Sequence, residues 1–475
     1  MNTPSRPSGL PRLPDGFSFG VATSAYQIEG AWNLDGKGPS IWDTFTHAPG
    51  NVLGDIPGDN GADHYHRLDE DIALLHRLGV DSYRFSLAWS RIFPDGTCEV
   101  NQKGVDFYHR LLDGLLAHGI RPNCTLYHWD LPQALEDRGG WLNRDVQHWF
   151  SEYAAYAFEV FGDRIDQWST LNEPISNWAG YGMGIFAPGI KDARAGRTAM
   201  HHALLAHGQA VTAFRELAPA QAEIGIVVDV WKRTPAHDTV EETELAVSEE
   251  EDSFGAFLNP LFRGGYTARQ LERWDRAGAL PGIREGDLEL ISRPLDYFGL
   301  NIYNRLTVDL SQAPEDDTCE TVDAGDPGDF GGGNYLNSQR RYDPSVVHEV
   351  LTMLSKDYGI SIPIYVTENG LANCNEQVTD EGRVHDAERI DYASGFLTWI
   401  ARAIEDGIDV RGYYLWSLLD NYEWNRAYTD RYGIVHVDLD TYRRIPKDSS
   451  YWYRKAIRHR SPQVELTAED FKDTL

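Results

Sequence analysis

Cysteine is scarce: Cys98, Cys124, Cys319 and Cys374 are the only four in a chain of 475 residues. They show no CxxC spacing and no Cys/His grouping of the structural-zinc type, which excludes a disulfide-dense scaffold and a zinc ribbon. Free or buried thiols in a reducing compartment are the expectation. Long apolar runs are also missing, since none approaches the ~20 residues a membrane helix needs. The opening MNTPSRPSGLPRLPDG is rich in proline and polar residues and lacks an apolar signal core. Residues 1–14 therefore read as a flexible lead-in, with a cytoplasmic location expected. Basic residues are outnumbered: 43 Lys and Arg against 73 Asp and Glu give a formal charge of −30. Such a surface repels phosphate backbones and acidic membranes, so neither nucleic acid nor membrane is an expected partner.

Several local features carry no ligand chemistry. His64 and His66 form an isolated HYH cluster, and His201 and His202 are neighbours on a helical stretch; neither pair makes a metal shell. The GGG near residue 332 lacks the GK[ST] that follows in a phosphate loop. No metal and no cofactor are expected. The acidic run VEETELAVSEEED reads as a solvated helix face. No heptad pattern points to a coiled-coil oligomer, and the oligomeric state stays open.

What is present is alternation. Hydrophobic residues make up 41% of the chain and aromatics 12%, enough for a large core. Short branched and aromatic segments read as strands: FSFGVAT from Phe17, DSYRFSLAW from Asp81, RPNCTLYHWD from Arg121 and DQWSTLNEP from Asp166. Four more follow: AEIGIVVDV from Ala222, LDYFGLNIY from Leu295, SIPIYVTENG from Ser361 and VRGYYLWSLLD from Val410. Amphipathic helices fill the intervals, as in YHRLDEDIALLHRLG, where Leu68, Ile72, Leu75 and Leu78 recur at helical spacing before Gly79. Gly395 is expected to weaken the long helix HDAERIDYASGFLTWIARAIEDG locally. Eight strand-to-helix transitions predict a single (β/α)8 TIM barrel with extended active-site loops over residues 15–465, followed by a tail at 466–475. A doubly wound sheet is the alternative. The glycine-, proline- and aspartate-rich stretch 311–341 reads as a surface insertion between the sixth and seventh barrel units.

Two glutamates end strand-like segments: Glu173 in TLNEP and Glu368 in YVTENG. In a parallel barrel both strand ends face one mouth, whatever their separation in sequence. A pair of carboxylates there is suited to acid/base and nucleophilic work on a glycosidic bond.

These segments resemble family 1 glycoside hydrolases, especially β-glucosidases. TLNEP matches the acid/base motif and VTENG the nucleophile motif, with Val for the commoner Ile. FGVATSAYQIEGA, YRFSLAWSRIFP, TLYHWDLP and RYGIVHVD follow in family order, so the resemblance covers about residues 15–460. It implies a retaining β-glycosidase, most simply a β-glucosidase, with Glu173 as general acid/base and Glu368 as nucleophile. Retention by double displacement implies carboxyl groups ~5–5.5 Å apart, against ~6.5–9.5 Å for an inverting enzyme. It also calls for a raised pKa on Glu173.

By the same resemblance, Arg84 holds Glu368 ionised and oriented, and Asn301 and Tyr303 position the sugar and the nucleophile. Gln27, His128, Asn172, Glu423 and Trp424 correspond to glycone-binding positions. Trp129 supports or lines that pocket, Trp416 offers a flat apolar face, and Tyr432, in RYG where RFG is frequent, adds a hydroxyl to its wall. NEPI, with Ile175, replaces the frequent NEPW. Glu423 favours neutral sugar hydroxyls over a 6-phosphate, and Arg426 reads as an ordinary loop charge. Leu371 and Cys374 stand near the mouth, in access or packing roles.

The implied partners are a small β-glycoside and water, with an alcohol or sugar as a possible acceptor. β-Galactosidase, β-fucosidase and transglycosylase activities remain open alternatives. A non-enzymatic sugar-binding module is the alternative of a different class, and it would not need both glutamates.

Overall fold

Each of the eight short apolar segments forms a strand: β1 (Ser18–Ala22), β2 (Ser82–Ser86), β3 (Arg121–Tyr127), β4 (Gln167–Asn172), β5 (Glu223–Asp229), β6 (Tyr297–Asn301), β7 (Ile364–Asn369) and β8 (Val410–Trp416). The computed structural model describes residues 12–312, 340–341, 343–373, 376–472 and 475. Every residue of β1, β2, β4, β6 and β7 is buried, the pattern of parallel strands covered on both faces. All neighbours pair in parallel, and β1 pairs with β8 from Ser18–Gly412 to Ala22–Trp416. That pairing closes an eight-stranded barrel and excludes the doubly wound sheet.

Helices occupy the intervals where the apolar spacing places them, among them Leu68–Leu78, Gln102–Ala117, Val146–Phe161, Ala193–Leu217 and Ala387–Glu405. Leu68, Ile72, Leu75 and Leu78 are buried on one face of the first, which stops at Gly79 with φ +75°, a left-handed cap that favours glycine. The helix Ala387–Glu405 runs unbroken through a buried Gly395. Burial against the barrel outweighs the cost of one glycine.

The barrel interior is aromatic and polar. Tyr297, Tyr365, Tyr414, Trp416 and Ala22 pack together with Tyr432. The Tyr414 hydroxyl donates to Ser82 Oγ at 3.0 Å and accepts from Asn123 at 3.1 Å. Its ring lies where a Cβ on Gly20 would come within 2.3 Å, so this layer requires glycine on β1.

Two expectations are refined outside the barrel. The acidic run forms the helix Val240–Asp252, but it is not simply solvated. Glu242 is buried, Glu249 and Glu250 pair with Arg233 and Lys232 at 2.7 and 2.8 Å, and Glu251 and Asp252 reach Arg273. Before the 311–341 stretch lies a strand Arg305–Val308, which pairs with Lys232–Pro235 and with Arg340–Arg341. Residues 313–339, with Cys319, lie outside the described residues, as does Cys374. Cys98 and Cys124 are unbridged. His64 is buried against Asp71 at 2.7 Å, His66 is paired with Asp63, and His201 and His202 are buried in packing positions. Among the described residues, no helix is long and apolar enough to cross a membrane.

Candidate active site

The carboxyl ends of the strands deliver the side chains to one mouth. Arg84 comes from β2, Asn172 ends β4 with Glu173 next in sequence, Asn301 ends β6, Glu368 is the penultimate residue of β7, and Trp416 ends β8. Gln27 lies in the short helix after β1, His128 and Trp129 follow β3, and Glu423 and Trp424 follow β8. Glu173, Trp129 and Trp424 have φ of +44°, +78° and +52°. Such backbone is unfavourable for non-glycine residues, so the surrounding contacts must hold it in place.

Hydrogen bonds join these residues into one network. Arg84 donates through Nη1 to Glu368 Oε1 and through Nη2 to Asn172 Oδ1, both at 2.6 Å. The same guanidinium reaches the Thr367 carbonyl at 3.4 Å, so it orients the carboxylate and also ties barrel-end backbone. Tyr303 OH donates to the other oxygen of Glu368 at 2.7 Å. Asn301 Nδ2 donates to Glu173 Oε1 at 2.6 Å and to Asn172 Oδ1 at 3.1 Å, while its own carbonyl accepts from Thr367 at 2.8 Å. Both carboxylates are thus held within two bonds of Asn172.

The opposite wall is aromatic with a polar edge. His128 stacks with Trp416 at 5.8 Å and with Trp424 at 6.1 Å, and Trp129 meets Trp424 at 4.4 Å. Asn172 and His128 share a hydrogen bond at 3.2 Å, and the Trp129 indole donates to the Asn172 carbonyl at 2.9 Å. Gln27 donates to Glu423 at 3.2 Å and to Asn421 at 3.1 Å. Tyr432 meets Tyr303 edge-on at 5.9 Å. Eleven of the thirteen residues assigned to the site are joined by these contacts, while Gln27 and Glu423 bond to each other, Glu423 being next to Trp424 in sequence. Arg426 pairs with Asp430 at 3.2 Å, an ordinary loop ion pair. Ile175 is half-buried and packs on the core, and Leu371 is buried there too.

The environment separates the two glutamates. Burial drives the Glu173 carboxyl well above the usual range, and the charges of Asp229 and Glu368 push the same way. The Asn301 donation and the Arg84 charge oppose this without overcoming it. Glu368 instead receives two donors, one of them cationic. Burial holds the Tyr303 hydroxyl well above its ordinary value, so it stays a phenol that can donate. Burial, helped by Arg84, keeps His128 well below 6.5 and neutral. Glu423 is raised too, by burial and then by Asp430 and Glu368.

Asp229 and Trp231 were not singled out in the sequence, although the strand-end rule that picked out Glu173 also points at Asp229, the last residue of β5. Trp231 stacks on Tyr303 at 5.9 Å. Its signal was weaker, for it lies past the strand in a segment with no strand-end logic. Among the described residues, only His237, Glu242 and Asp309 gather donor atoms as a metal site would, and they stand apart from this network.

Comparison with known proteins agrees with this geometry. The sequence profile of glycosyl hydrolase family 1 matches residues 11–462. β-Glucosidase A of Acetivibrio thermocellus is 43% identical over 455 residues, covering 94% of this chain and 98% of that protein. The β-glucosidase of Agrobacterium sp. is 42% identical over 93% of this chain and 94% of its own length. The solved structure of the Thermotoga maritima β-glucosidase in complex with glucoimidazole superposes with a TM-score of 0.87 at 40% identity, covering 95% of this chain and 99% of that one.

Proposed function

The chain belongs to glycosyl hydrolase family 1, and from that premise we infer that it is a retaining β-glucosidase that releases terminal β-D-glucosyl residues from short or aryl and alkyl β-glucosides. The observation that supports this most is the unequal environment of two carboxyls in one network: Glu173 driven toward its acid form, Glu368 gripped by Arg84 and Tyr303.

Glu368 attacks the anomeric carbon as an anion. Glu173 gives its proton to the departing oxygen, the C1–O bond breaks, and a glycosyl ester on Glu368 remains. Esterification removes the Glu368 charge, which makes Glu173 easier to ionise. Glu173, now a carboxylate, takes a proton from water as the water oxygen attacks C1, and Glu368 leaves with its bonding electrons. Two inversions give net retention. Gln27, His128, Asn172 and Glu423 are assigned to the glycone hydroxyls, and Trp129, Trp416, Trp424 and Tyr432 to its apolar faces and pocket wall. Asn301 and Tyr303 position the sugar and the nucleophile. The substrate is a small β-glycoside with water as acceptor, and an alcohol or sugar in place of water would give transglycosylation. The unbridged Cys98 and Cys124 fit a cytoplasmic location, and residues 15–465 constitute one catalytic body.

Proton NMR of a running reaction with gluco-, galacto- and fuco-configured β-aryl glycosides tests this. The expected result is fastest turnover of the glucoside with the β-anomer of the free sugar appearing first. First appearance of the α-anomer, or binding without cleavage of any substrate, would overturn the reading.

A further inference from the structure

Asp229 ends β5, the strand between those that carry Glu173 and Asn301. Side chains alternate along a strand. Gly225 and Val227 point into the barrel: a Cβ on Gly225 would meet the Tyr297 ring at 2.8 Å, and the Val227 methyl abuts Gly299 beside Thr367. Asp229, two residues on from Val227, faces the mouth. Strand register sets its neighbours. The Glu173 amide donates to the Val227 carbonyl at 2.9 Å, and Asp229 pairs across the ladder with Asn301. Asn301 in turn donates to Glu173.

We propose that Asp229 is a positioning residue, a third carboxylate at the mouth whose charge keeps the proton on Glu173 in the resting enzyme. This rests on the acid/base reading of Glu173. The groups facing the pair settle where the proton sits. Glu173, just past the end of β4, has Asn301 as its donor, and the Arg84 charge on β2 likewise favours its ionised form. Asp229 accepts from the Trp231 indole and from its own backbone amide, and it faces Arg233, a charge shared with Glu249. Glu368, on β7, repels both. Burial raises both carboxyls, Asp229 to about 7; its own backbone amide, Arg233 and the Trp231 indole hold Asp229 down against that burial, and the Asp229 charge in turn raises Glu173. Trp231 also stacks on Tyr303, which donates to Glu368, so the Asp229–Trp231 bond braces the nucleophile's donor as well. After esterification the Asp229 charge persists, and Glu173 remains a stronger base for the water step than it would be alone.

The pH dependence of kcat/KM in Asp229→Asn tests this, with p-nitrophenyl β-glucoside as substrate. The basic limb, which reports loss of the Glu173 proton, should move toward acid by about one pH unit. Asp229→Glu should return it toward its original place, and Trp231→Phe, which removes the indole donor, should move it toward acid by less than Asp229→Asn does. A merely structural role would lower activity without moving the limb. Glu173→Gln, assayed with the activated 2,4-dinitrophenyl β-glucoside, separates the two readings. If that variant loses the basic limb and Asp229→Asn keeps it in place, the Asp229 proposal falls and the acid/base reading stands. If Glu173→Gln retains the limb, Glu173 is not the titrating acid and both fall. Should Asp229→Asn fail to fold by near-ultraviolet circular dichroism, an unmoved limb in Trp231→Phe overturns the proposal.

Discussion

Arg84 makes two 2.6 Å bonds in different directions, one to Glu368 and one to Asn172, and only a planar fork with several fixed donors can serve both. Arg84→Lys keeps the charge and loses that geometry. With one charged hydrogen bond worth about 1.5–3 kcal/mol, its kcat should fall by roughly 10- to 150-fold while the fold persists. Steady-state kinetics beside a thermal melt checks this, and an unchanged kcat would remove Arg84 from the positioning role. Residue-scale legibility was uneven for physical reasons. Glu173 and Glu368 could be read because strand ends converge in a barrel. Tyr303 and Trp424 lie in loops, where only the family resemblance identified them. Trp231 was missed because its role depends on stacking over Tyr303, a contact no periodicity encodes.

At the scale of elements, the loops after β7 and β8 are fastened from below by a buried ionic cluster. Lys447, just before the helix Asp448–His459, is fully buried and donates to Glu376 and, at 2.8 Å, to Asp420. Arg389 reaches Glu376 at 2.6 Å and also binds Asp386. Lys447→Met would leave two carboxylates short of a cation in the interior. Breaking such a set costs about 3–5 kcal/mol, so the urea midpoint should drop accordingly. An unchanged midpoint would show that the cluster does not fasten these loops. The strands themselves were legible to within a few residues, because runs of five or six residues buried on both faces leave little freedom. The ion-paired inner side of Val240–Asp252 was not, since its cations Lys232, Arg233 and Arg273 come from other segments.

Across the whole molecule, distant parts of the chain are joined by charge as well as by strand pairing. Asp71 is buried and accepts two bonds from Arg444 at 2.8 Å and one from His64 at 2.7 Å. Burial alone would raise its carboxyl, but these bonds hold it below the ordinary 3.8. A carboxyl lowered in the folded state contributes stability that is present above its unfolded value and lost as pH falls through the folded one. Asp71→Asn should therefore be less stable at pH 6, and should lose less further stability on going to pH 3 than the unaltered chain does. Urea midpoints at the two pH values check this, and equal losses in both proteins would contradict it. The barrel and its single mouth were legible at this scale from eight alternations, and closure through β1 and β8 decided between barrel and open sheet.

Double displacement requires that one carboxylate at this mouth become bonded to the sugar. Incubation with 2-deoxy-2-fluoro-β-D-glucosyl fluoride, whose fluorine slows release of the intermediate, followed by peptide mass mapping, reads that bond directly. One fluoroglucosyl group per chain, on Glu368, with activity lost in step, is the expected result. A label on any other residue, or full inactivation with Glu368 unmodified, would contradict it.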